Sequence, residues 1–134
     1  MTKLFKKIKS FIPSGLENAS VTRAEKAEFI VLYNELEVGV LKLEEGKWHF
    51  SYTPDFKKQN EITPIPDFPN IDKEYVKDEL WPFFLIRIPS LKQPKVQKII
   101  SKERIDSTSQ VELLKHFGQK TIANPFELKS DMIS

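Results

Sequence analysis

Seven of the nine prolines of this 134-residue chain lie between Pro54 and Pro94, and that crowding restricts its fold more than any other feature. Proline has no amide donor and holds φ near −65°, so the stretch ITPIPDFPN, residues 62–70, has no place inside a sheet. It reads as an edge strand followed by an extended loop. Pro82 fits only the first turn of a helix, which predicts a short buried helix starting near Trp81. Pro94 opens another through about Arg104.

Regular strands must then come from the flanks. From Phe29 the order is an apolar run FIVLY, a turn at Asn34 and Glu35, EVGVLKL, a turn at residues 44–46, and KWHFSY. This predicts a three-stranded antiparallel meander. The last strand alternates, with Trp48, Phe50 and Tyr52 toward the core and His49 and Ser51 away from it. Ser109 with Glu112 forms a capping box for a helix QVELLKHF that ends at Gly118, and Thr22 with Glu25 predicts another short helix to about Glu28. KTIA and FELK, hinged at Asn124 and Pro125, read as a closing hairpin. Residues 3–12, KLFKKIKSFI, place Leu4, Phe5, Ile8, Phe11 and Ile12 on one side of an amphipathic helix with lysines around the rest. That face can cover the protein's own sheet, a partner or a membrane surface.

The fold class expected is therefore α+β: a small antiparallel sheet, made of the meander, an edge strand and a C-terminal hairpin, with flanking short helices. The organisation is a basic segment and short second helix over 1–28, a domain over 29–130, and a frayed tail at 131–134.

Composition removes whole classes of function. No cysteine is present, which excludes disulfides, thiolate metal sites and a cysteine nucleophile. No apolar run reaches the roughly 18 residues that span a bilayer, and no secretory leader is apparent, so a cytoplasmic protein is expected. The net charge of +2 sits at the start: beyond residue 12 there are 17 basic and 19 acidic residues. That balance argues against a nucleic-acid groove on the body, and no direct nucleic-acid contact is expected.

Chemistry is sparse. His49 falls on the outer face of a strand and His116 near a helix end, and neither has a metal-ligand spacing. The acidic pairs Glu44–Glu45 and Asp78–Glu79 fall at a turn and a helix start, where acids serve structure. The four glycines are scattered, so no phosphate-cradling loop can be assembled, and no serine stands in a nucleophile-elbow setting. No catalytic residue, metal or cofactor is expected. What stands out is aromatic excess around the proline-rich stretch: Phe56, Phe68, Tyr75, Trp81, Phe83 and Phe84. Such side chains either fill the core or form a surface that another protein covers. Trp81, directly before Pro82, is expected to project outward as an anchor, with Phe68 and Tyr75 beside it on the partner-binding surface.

The order of these segments resembles the N-terminal subdomain of HipA-type serine/threonine kinases of bacterial toxin–antitoxin systems. The matching residues are Val38 and Gly39, Phe50 and Tyr52, the stretch 62–66, Phe83 and Phe84, Ile88 and Pro89, and Leu113, Leu114 and Gly118. The resemblance covers about residues 29–130 and leaves no room for a kinase core. It implies the separate small subunit of a split HipBST system, a non-catalytic antitoxin that binds a HipT-like kinase and restricts its substrate or nucleotide access. A HipB-like DNA-binding protein would be the third member. A stand-alone interaction module and a peripheral membrane protein using residues 3–12 are the other readings.

Overall fold

The computed structural model describes residues 15–130. The expected amphipathic helix over 3–12 and the frayed tail at 131–134 lie outside them. In chain order the described residues form a 3-10 turn (Leu16–Asn18), β1 (Ala27–Tyr33), β2 (Leu36–Glu44), β3 (Lys47–Tyr52), α1 (Pro54–Lys57), β4 (Tyr75–Lys77), α2 (Pro82–Leu85), α3 (Pro94–Lys102), α4 (Gln110–Phe117) and β5 (Glu127–Ser130). They gather in two compact units, residues 22–81 with 120–130 and residues 15–21 with 82–119.

The first unit is the sheet, in the order β4-β3-β2-β1-β5, with every neighbouring pair antiparallel. The meander is as the alternation requires. Trp48 and Phe50 are fully buried and Tyr52 nearly so, packed on the side that also buries Phe29, Val31, Leu41 and Leu43. The β2–β3 turn runs through Glu45 and Gly46, both at positive φ, the geometry that matches the twist of a two-residue hairpin. Between Val31 and Leu32 the register slips by one, so Val38 and Gly39 are both buried. Gly39 is required there: a Cβ would lie 2.4 Å from Phe50 Cζ and 3.0 Å from the Ser51 carbonyl.

Three expectations are corrected in this unit. Thr22 and Glu25 close a turn, not a helix: the Glu25 amide bonds the Thr22 carbonyl, the Glu25 carboxylate accepts from the Thr22 amide, and two residues later β1 begins. The pairing of Ala27 with Leu43 draws the chain into the sheet before a helical turn can propagate. The edge strand follows the proline-rich loop instead of preceding it, because β4 pairs with β3 over residues 75–77, past the last proline of the run. The closing hairpin is absent: residues 120–123 carry no strand, and β5 pairs with β1, where Leu128 opposite Val31 is buried. A sheet edge lined by a buried apolar row offers more than a two-stranded ribbon packed on nothing.

The second unit is helical. Pro82 and Pro94 occupy first-turn positions of α2 and α3, as predicted. Ser109 caps α4, its hydroxyl accepting from the Glu112 amide at 3.2 Å, and the helix ends at Gly118. Ser20 pairs beside that cap: its amide donates to the Thr108 carbonyl and its carbonyl accepts from the Gln110 amide, an otherwise orphaned first-turn donor. Phe84, Ile88, Leu113 and Leu114 are all buried in this unit.

Candidate interaction surface

The aromatic residues singled out in the sequence do meet, but inward. Phe68, fully buried, stacks on Phe50 at 4.0 Å between ring centroids and meets Tyr75 edge-on at 5.2 Å and Trp81 at 5.0 Å. Trp81 is 8 % exposed, so its expected outward projection is corrected: the loop brings Phe68 into the sheet's core and the indole packs on it. Phe68 and Trp81 therefore pack within the core beneath the loop. Tyr75 keeps part of its surface. Its hydroxyl accepts from the Asn70 amide at 2.8 Å, and Lys73 Nζ lies 5.0 Å from its ring centroid. Phe56 sits on α1, where Thr53 caps the helix and Phe56 stacks on Tyr52 at 4.7 Å.

The surface left open lies along the proline-rich strip itself. A groove of about 310 Å³ runs between residues 61–66 on one side and Tyr33 and Phe126 on the other. The two rings meet edge-on at 5.5 Å. Tyr33 ends β1, and Phe126 is set just before β5 by a turn in which its amide donates to Asn124 Oδ1 at 3.0 Å.

The opposite wall is held by two side chains. Gln59 Oε1 accepts from the amides of Glu61 and Ile62 at 3.0 and 2.8 Å, while its Nε2 donates to the carbonyls of Phe56 and Ile62, each at 3.1 Å. Tyr52 accepts from the Ile65 amide at 2.9 Å and donates to the Phe68 carbonyl at 2.6 Å. Burial pushes the Tyr52 hydroxyl up to about 12. A proline-rich wall with few free rotations, carrying one carboxylate, Glu61, and facing two aromatic rings, is suited to holding a partner's side chains. Sequence reasoning found the strip but missed Tyr33, Phe126 and Gln59, which no periodicity links to it.

The two histidines each stand beside a carboxylate. His49 Nδ1 lies 3.9 Å from Glu74, and His116 Nε2 lies 3.9 Å from Glu112 one helical turn away. Among the described residues no group of three or more potential ligands could hold a metal ion, and no helix is long and apolar enough to cross a membrane. In the helical unit Arg87 is 4 % exposed, with Nη1 donating to the Gly118 carbonyl at 3.3 Å and Cζ 5.1 Å from the Phe83 ring centroid. Burial lowers its guanidinium to about 10. The cation thus faces the negative end of α4.

No curated protein matches the chain. The family model for the HipA N-terminal domain matches residues 29–123, a span that holds the meander from Phe29 onward, the proline-rich strip, Phe83 and Phe84, and α4. The chain belongs to the HipA N-terminal domain family.

Proposed function

We propose that this chain is a non-catalytic, antitoxin-type subunit that binds a HipA-like serine/threonine kinase of the HipT kind and restrains it. Membership of the HipA N-terminal domain family supports a toxin–antitoxin context, since the matched domain is the N-terminal one and not the kinase domain. The observation that carries the binding role is the groove. Tyr33 and Phe126 line it, they remain partly exposed, and Gln59 and Tyr52 preorganise its far wall. A rigid, partly apolar cleft of this kind lowers the ordering cost of docking a partner. The kinase would seat on this groove and on the adjoining loop, with Tyr75 at the margin and Phe68 and Trp81 holding the loop's shape from beneath. A HipB-like DNA-binding protein completes the assembly in this reading.

Co-expression with a HipT-like kinase, followed by size-exclusion chromatography and an autophosphorylation assay, tests it. The expected result is one co-eluting complex with reduced kinase activity, lost in Phe126→Ala and Ile62→Glu, which should melt as the wild type does. Separate elution of the two proteins, or a complex indifferent to both substitutions, would overturn the groove as the docking site.

A further inference from the structure

The charge of the chain divides between its two units. Residues 22–81 with 120–130 carry 10 basic and 14 acidic side chains, whereas residues 15–21 with 82–119 carry 7 basic and 4 acidic. Five of those seven cations fall within residues 92–104: Lys92, Lys95, Lys98, Lys102 and Arg104, with Glu103 the one acid among them. All five are exposed, and among the described residues none lies within ion-pair distance of a carboxylate.

Their placement is regular. At 3.6 residues per turn, Lys95, Lys98 and Lys102 fall within about 60° of the circumference of α3 and span roughly 10 Å of its axis. Val96 is buried on another side of the helix. Arg104 adds a cation at a conformational cost, with φ of 54° in the left-handed region where glycine is usual. There it closes α3: its amide donates to the Ser101 carbonyl at 3.3 Å and the next amide, of Ile105, reaches back to Ile100 at 3.0 Å.

We infer that this face of α3 binds the phosphate backbone of duplex DNA without reading its sequence. Duplex DNA presents one negative charge per about 1.7 Å of axis, so a 10 Å row of ammonium groups meets several phosphates at once. Lysine is a point charge suited to that contact and to no base-specific pairing. A lipid surface fits less well, because among the described residues Ile99, 38 % exposed, is the one exposed large apolar side chain on α3. A protein interface fits less well too, since interface cores are depleted in lysine and enriched in aromatic residues.

The test is fluorescence anisotropy of the full chain with two labelled duplexes of unrelated sequence. Both should bind equally, with affinity falling about 40-fold between 50 and 200 mM salt if three phosphates are neutralised. The variant Lys95→Glu/Lys98→Glu/Lys102→Glu should bind at least about tenfold more weakly at 50 mM and melt unchanged, while arginine at the same positions should retain binding. Three results overturn the proposal: no binding at 50 mM salt; undiminished binding by the charge-reversed variant, which would locate the contact elsewhere, the lysines of residues 3–9 included; or phosphatidylserine vesicles captured in preference to either duplex. Kinase co-elution by the same variant keeps this outcome separate from the docking role of the groove.

Discussion

The Tyr52 hydroxyl lies 2.6 Å from the Phe68 carbonyl and 2.9 Å from the Ile65 amide, so one side chain of β3 satisfies both ends of the turn that seats Phe68 in the core. The same turn is closed by the Phe68 amide on the Ile65 carbonyl at 2.8 Å. Strand, loop and groove wall are therefore linked through one phenol.

Tyr52→Phe should strand a buried acceptor and a buried donor, costing about 2 kcal/mol, or roughly 6–10 °C in melting temperature. The wild-type advantage should also depend on pH. Because burial raises Tyr52 from 10.0 to about 12, its contribution is complete below pH 10 and is lost as pH rises toward 12, once the unfolded phenol ionises first. Denaturant titrations of both proteins at pH 8 and above pH 10 check this; a constant difference would show that the hydroxyl is not held as described.

Gly39→Ala should be among the most destabilising small changes, because its Cβ would collide with the Phe50 ring at 2.4 Å in a strand that cannot move away. A loss of about 2 kcal/mol or more is expected. Adding Phe50→Leu should recover part of it, since the two sites share the contact, and a double-mutant cycle measures that coupling. Strictly additive effects would rule out the ring as the cause.

Trp81→Ala should lower folding stability by about 3–5 kcal/mol, the range for a truncated core aromatic. Trp81→Phe should cost less, keeping a ring against Phe68. Thermal unfolding decides between this and an exposed anchor, whose truncation would leave the melting temperature in place.

Glu45→Asn should stabilise the β2–β3 hairpin. Glu45 occupies a left-handed position, φ 52°, beside Gly46, and asparagine tolerates that region while glutamate carries a penalty. A gain of a few tenths to about 1 kcal/mol in denaturant titration is expected, with no change at the groove.

Much of the fold was legible because its signals are local. Alternation in KWHFSY requires one buried face whatever the strand pairs with, Pro82 and Pro94 can sit in a helix only at its start, and the Ser109 hydroxyl reaches the Glu112 amide within a single turn. Long-range choices were not written there. Whether FELK folds back on KTIA or adds to β1 depends on which edge buries Leu128, and whether Trp81 faces water depends on Phe68 arriving beneath it from 13 residues away. The groove is of the same kind, since Tyr33, residues 61–66 and Phe126 share no pattern and meet only because β5 pairs with β1. Charge behaves likewise. Summed along the body of the sequence it is nearly neutral; the basic run over residues 92–104 stands in the sequence, but the folding of Pro94–Lys102 as a helix is what aligns Lys95, Lys98 and Lys102 on one face, because the sign of a surface is set by which residues fold together.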